Sequence, residues 1–197
     1  MDMERFAKQL AFILEADKEK NILRRTHLSG HGRRENDAEH AWHMAMMIYL
    51  LKEYSNEDID LAKTMMMALI HDVVEIDAGD TYAYDDQGLT TQKEREKQAA
   101  DRIFGMLPED QKKELRGLFE EFEEGNSPEA KFAHAMDNFQ PLLLNNSNGG
   151  ADWRANEVTK TKVEKRHSNT KDGSAFIGEY SMNLINENVK KGNIKDE

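Results

Sequence analysis

The chain has 197 residues, 38% of them apolar, with 27 Lys and Arg against 38 Asp and Glu for a formal charge of −11, which suits one domain with a sizeable core and excludes a long basic stripe for a nucleic-acid polymer. No stretch approaches the ~20 consecutive apolar residues of a membrane span, and the acidic start MDMERFAKQL lacks the basic and apolar regions of a cleaved signal, so a cytoplasmic protein is expected. Cysteine is absent, which removes disulfides and thiolate chemistry and leaves His, Asp and Glu as the available metal ligands.

Five Val stand against 16 Leu, 11 Met and 18 Ala. Unbranched helix formers therefore supply nearly all the core, predicting a single all-α domain over 1–197 with about seven to nine helices and no sheet. Phe6, Leu10, Ile13 and Leu14 mark an amphipathic helix over 3–16, broken by the stretch 17–34. Helices follow over 36–54 and 57–76, the second entered through Ser55 with Asp58 three residues on. The stretch 77–90 reads as a loop, and Thr91 with Glu94 caps a helix to Gly105. Pro108 opens the next, ending near Gly125, and Ser127-Pro128 starts another that should reach Leu144 with a kink at Pro141. After the breaker NNSNGG, two last helical patterns cover 156–167 and 174–191.

The densest chemical signal is His71-Asp72, followed by Glu75 and, after Gly79, Asp80. They end a helix whose preceding residues, Met65 to Ile70, are all apolar, and an ionisable group at the end of a buried helix needs a partner. His40, on the Met44/Met47/Leu51 stripe, and Asp137, on the Ala133/Gln140/Leu144 side of its helix, repeat the anomaly. Two imidazoles and two carboxylates could close around one cation if their helices meet.

The ordered set His40, His71, Asp72 and Asp137 resembles the H…HD…D signature of the HD-domain superfamily of metal-dependent phosphohydrolases. Glu35-Asn36-Asp37-Ala38-Glu39-His40 and His71-Asp72-Val73-Val74-Glu75…Gly79-Asp80 are similar to the E-N-x-x-E-H and H-D-x-x-E-x-x-x-G-D motifs of the branch that holds the bacterial 5′-deoxynucleotidases and their eukaryotic relatives. The resemblance implies that those four residues bind one divalent cation. It also implies that Glu75 and Asp80 position or deprotonate a metal-activated water, and that Arg25 contacts the substrate phosphate. Mixed nitrogen and oxygen ligands suit Mn, Co, Fe or Zn better than Mg. The expected activity is hydrolysis of a small phosphate ester, foremost a nucleoside monophosphate. The alternatives are a diester or polyphosphate hydrolase of the same superfamily, and a non-catalytic metal-binding regulatory or structural protein. A homodimer is an open alternative to the monomer.

The remaining candidates carry less. His27 and His31 stand four apart, but Gly30 and Gly32 argue against the helix that would align them, so both stay outside the metal site. His43 and His134 lie three residues from proposed ligands without the further donors a second metal needs, and Tyr82 and Tyr84 could stack on a base. In the deoxynucleotidases the phosphate-binding Arg lies in a segment that also supplies a Trp. Here Thr26 follows Arg25 and no Trp lies between Lys18 and Arg34, which predicts weak discrimination between ribose and deoxyribose.

Overall fold

The computed structural model describes residues 2–81 and 89–197; Tyr82 and Tyr84 lie outside them. Asp2 accepts the backbone N–H of Arg5 and caps α1 (Met3–Ala16). The stripe that marks α1 in sequence is not what it buries: Phe6 and Leu10 are exposed, while Phe12 and Ala16 pack inward and Phe12 stacks on Phe104. A 3₁₀ turn over Asp17–Asn21 leads into β1 (Leu23–His27), which pairs antiparallel with β2 (Arg34–Asn36).

This hairpin corrects the expectation of a fold without a sheet. Leu23 faces Asn36 and His27 faces Arg34, with an irregular register between them. The turn closes at Leu28 N–H to Arg33 O, 3.0 Å, and Gly30 (φ 79°) supplies the left-handed backbone it needs. A strand this short, with its charged residues side by side (Arg24-Arg25, Arg34-Glu35), leaves almost no period-two signal in sequence.

Asn36 and Glu39 form a reciprocal capping box at the start of α2 (Asp37–Leu51). The following helix, α3 (Leu61–Ile70), starts later and stops earlier than its pattern suggests, because Asp60 rather than Ser55 caps it and residues 71–74 turn before α4 (Glu75–Ala78). Next come α5 (Leu89–Phe104) and α6 (Glu109–Glu124), the latter closed by Gly125 at φ 64°. Ser127 caps α7 (Pro128–Ser147), which continues through Pro141 and past Leu144. The expected helix over 156–167 is shortened to α9 (Lys160–Arg166), and a short α8 (Ala151–Ala155) precedes it; α10 (Thr170–Gly173) and α11 (Ala175–Lys190) follow.

Helix α7 is the central strut. Phe132, Ala133, Met136 and Phe139 join Met44 and Ile48 of α2, Met67 of α3 and Ile185 of α11 in one core. A second core holds Ile103 and Phe104 of α5, Phe119 of α6 and Val73-Val74 after α3. His71-Asp72 falls where the two cores meet, at the turn between α3 and α4. Among the described residues no helix is long and apolar enough to cross a membrane.

Candidate metal centre

Three helical elements bring the sequence candidates together. His40 comes from the first turn of α2, His71 and Asp72 from the turn after α3, and Asp137 from the middle of α7. His40 Nε2 lies 3.1 Å from Asp137 Oδ1 and 4.0 Å from Asp72 Oδ2; His71 Nε2 lies 3.1 Å from Asp72 Oδ1 and 4.0 Å from Asp137 Oδ1. One ligand atom each from His40, His71 and Asp72 falls within 4.8 Å of the others.

The other nitrogen of each ring is already committed. His40 Nδ1–H donates to Gln140 Oε1 at 3.0 Å, and His71 Nδ1–H donates to the Ala68 carbonyl at 2.9 Å. Each ring therefore turns its Nε2 atom toward the two carboxylates, which is how ligand imidazoles are held. His71 Nε2 is buried without a well-aligned hydrogen bond. The donors present thus fit a divalent cation at this point. Gln140 is fixed in turn, since its Nε2 donates to Glu35 Oε1 at 2.6 Å. Proline at position 141 has no N–H to offer the carbonyl of Asp137 one helical turn back, so Asp137 sits at a gap in the α7 ladder.

Electrostatics follow from crowding in a dry site. Burial drives His40 down to about 4. Burial also opposes charge on His71, but the adjacent Asp72 carboxylate overrules it and lifts the ring to about 9. Burial would raise Asp72 and Asp137; His71 and Arg24 hold the first, and Arg166 and His40 the second, below the ordinary carboxylate range. Glu75 is pushed up to about 12 by burial and by the charges on Asp72 and Asp37. Asp80 is raised by burial, with Arg24 the leading opposing charge.

Glu75, Asp80 and Asp37 form a carboxylate group beside the His/Asp cluster, and Glu75 Oε2 and Asp37 Oδ2 are buried without partners. A cavity of about 200 Å³ opens over both groups, with Arg24, Arg25, Arg166, Asp80 and Trp153 on its wall. Arg25 is exposed on β1 and lines this wall.

Several residues of the site were not singled out from sequence. Arg24 Nη1 reaches Asp72 Oδ2 at 2.7 Å and Asp37 Oδ1 at 3.3 Å; Arg166 Nη2 reaches Asp137 Oδ2 at 2.7 Å. In sequence Arg24 is one of six basic residues between 18 and 34, and nothing local marks it as the buried one. Gln140 was noted only as a neighbour on the Asp137 face; its position three residues after Asp137 was the available clue. His43 and His134 bind protein groups instead: His43 Nδ1 accepts from Gln140 Nε2 at 3.1 Å, and His134 Nε2–H donates to the Phe122 carbonyl at 2.7 Å.

The mainly helical frame, the His/His-Asp/Asp convergence and the arginine-lined cavity define a class, and the chain belongs to the HD domain family, whose profile matches residues 16–176. The crystal structure of a predicted metal-dependent phosphohydrolase from Magnetospirillum magnetotacticum MS-1 is similar over 97% of this chain and 96% of that chain, with a TM-score of 0.92 and 44% identity. Among curated proteins, the human 5′-deoxynucleotidase HDDC2 is 33% identical over 111 residues, 56% of this chain and 53% of that protein. The Dictyostelium discoideum 5′-deoxynucleotidase HDDC2 is 34% identical over 128 residues, 61% of this chain and 67% of that protein. The chain thus spans about half the length of the vertebrate relatives it matches. The PH0347 protein from Pyrococcus horikoshii OT3, at 22% identity and a TM-score of 0.58, shares the fold.

Proposed function

We propose that this chain is a metal-dependent phosphohydrolase that releases phosphate from nucleoside 5′-monophosphates. The observation that carries the reading is the pair of imidazoles whose Nδ1 atoms are tied to protein and whose Nε2 atoms face Asp72 and Asp137, with His71, Asp72 and Asp137 lining an arginine-walled cavity and His40 buried behind them. Family membership and the nucleotidase names of the relatives support it.

His40, His71, Asp72 and Asp137 would hold the cation. Once bound, it supplies Lewis acidity toward a water and a phosphoryl oxygen. The protein's own groups do the rest. Arg25 and Arg166 present guanidinium forks to the non-reacting phosphate oxygens. Arg24 stays on Asp72 and Asp37 and keeps that wall from being purely anionic. Glu75, assisted by Asp80, takes the proton of the attacking water. Repulsion from Asp72 is one of the two leading reasons that Glu75 holds its proton, so neutralising Asp72 moves Glu75 toward the ionised form a proton acceptor requires.

Trp153, from α8, places an indole on the cavity wall. The expectation of weak sugar discrimination rests on the absence of a Trp from the segment that carries Arg25, and a ring contributed instead by α8 favours the reverse reading. The deoxynucleotide is therefore the favoured substrate. A wall that only tolerates the extra hydroxyl separates dAMP from AMP by about 10²-fold or less, and a larger ratio of kcat/KM assigns the exclusion to an occluding group such as Trp153.

The test is phosphate release from nucleoside monophosphates, a nucleotide diester and a polyphosphate, each with Mn, Co, Fe, Zn or Mg. Monoester turnover, poorest with Mg, is the expected result. Turnover of the diester alone would replace this reading with a phosphodiesterase, and a metal-loaded protein inert toward all three would make the site a regulatory or structural one.

A further inference from the structure

The turn between β1 and β2 gathers a second set of ligand groups that the centre above does not use. His27 closes β1, His31 sits in the turn, and Asp152 lies in α8. The helical spacing of the two histidines is irrelevant here, because the hairpin turn brings their rings together edge-on at 4.6 Å between centroids. His27 Nδ1 lies 2.7 Å from Asp152 Oδ1, and the backbone N–H of His27 donates to Asp152 Oδ2 at 3.1 Å. One ligand atom from each of the three residues falls within 4.8 Å of the others.

We propose that His27, His31 and Asp152 form a second cation site, for a zinc-like late first-row divalent ion, that braces the hairpin turn against α8. Two imidazoles and one carboxylate favour Zn, Co, Ni or Cu over Mg or Ca, and three protein ligands leave a position for water. Asp152 is buried, His27 half-buried and His31 exposed, so the carboxylate is oriented by the fold while the third ligand stays open to solvent.

The turn is held in place from below by one side chain. Asn148 Oδ1 accepts the backbone N–H of His31 at 2.7 Å, and Asn148 Nδ2 donates to the carbonyl of His27 at 3.2 Å. His31 is thereby kept at φ 56°, a left-handed conformation that residues other than glycine seldom adopt. Such conformations persist where surrounding contacts over-determine them. Bonds of about 2.0–2.1 Å in a tetrahedral shell bring ligand atoms to roughly 3.3 Å apart, a closure that the exposed His31 side chain can supply. The His27–Asp152 contact is already near that separation. A cation ligated by His27 Nδ1 takes the place of the hydrogen there, and the neutral ring carries its N–H on Nε2 instead. Thr26 and Trp153, the chain neighbours of His27 and Asp152, line the main cavity, so this second ion would stiffen one of its walls.

The experiment is a titration of chelator-treated protein with zinc, repeated with cobalt to record the visible spectrum. Wild type should bind two equivalents. His31→Asn, which tolerates the left-handed backbone and removes the imidazole, should bind one and lose one of two cobalt spectral components. Asp72→Ala should also bind one, and the double variant none. Equal stoichiometry in wild type and His31→Asn would overturn the proposal, as would a folded Asp72→Ala that binds no metal. If far-ultraviolet circular dichroism shows Asp72→Ala unfolded, the comparison of wild type with His31→Asn decides alone. None of these readings depends on phosphate release, so the proposal and the hydrolase assignment stand or fall separately.

Discussion

Single residues decide whether the centre is catalytic or only metal-binding. Glu75 has a buried, unpartnered oxygen and four ionisable neighbours, Asp72, Asp37, Arg24 and Asp80, a costly arrangement unless it is used. Glu75→Ala should keep the metal and the fold but lose on the order of 10²-fold or more in kcat, because a positioned base contributes about that much; stopped assays with measured metal content check it, and wild-type turnover would leave Asp80 as the sole acceptor. Gln140 acts differently, through His40. Gln140→Ala removes the acceptor of His40 Nδ1–H and should weaken metal affinity by about 10- to 100-fold, read by competition with a chromophoric chelator, whereas Gln140→Glu keeps an acceptor and should restore most of it. The four proposed ligands could be picked out from sequence because each is a charged or imidazole group on or at the end of an apolar helix. Arg24 and Arg166 could not, since both look like solvated charges until the fold supplies Asp72 and Asp137 as partners.

At the level of elements, long capped helices followed their sequence signals and short irregular pieces did not. Ser127-Pro128 opens α7 as its cap chemistry requires, and Gly125 closes α6. The hairpin was invisible because five and three residues carry too little alternation to outweigh a run of charges. The turn at residues 71–74 was likewise hidden: the apolar run continues through Val73 and Val74, which face the second core rather than extending α3. The seat of α10 on α7 depends on one glycine. A Cβ on Gly173 would stand 2.1 Å from the Lys131 carbonyl oxygen and 2.8 Å from Phe132 Cα. Backbone cannot yield as a flexible side chain does, so Gly173→Ala should destabilise the protein by about 1–3 kcal/mol or more. Urea unfolding followed by circular dichroism measures this, and an unchanged midpoint would mean that α10 is free to lift away. Because Asn138 of α7 donates to Asn169 and Thr170, the same variant should also loosen the cavity wall beside Asp137.

For the whole molecule, acid groups outnumber basic ones, and around the cavity Asp72, Glu75, Asp80, Glu96, Glu123 and Asp137 are only partly balanced by Arg24, Arg25 and Arg166. Stability should therefore depend on pH through groups that burial holds neutral. His167 lines the cavity, is buried, and is lowered to about 4 by burial and by the neighbouring Arg166, with Asp137 opposing. Its unfolded value is near 6.5. Protonation thus favours the unfolded chain, so the contribution is complete above pH 6.5 and is lost as pH falls toward 4, amounting to about 3 kcal/mol on the scale of 1.36 kcal/mol per pKa unit. Unfolding free energies at pH 7 and 4.5 should differ less in His167→Gln than in wild type; parallel profiles would place the acid sensitivity elsewhere.

The most direct measurement for the central claim is phosphate release from dAMP by chelator-stripped protein, before and after adding back Mn or Co, in wild type and Asp72→Ala. The account predicts no turnover when stripped, full recovery in wild type, and none in Asp72→Ala at any metal concentration. Turnover by the stripped protein at the metal-loaded rate, or an Asp72→Ala variant as active as wild type, would contradict it.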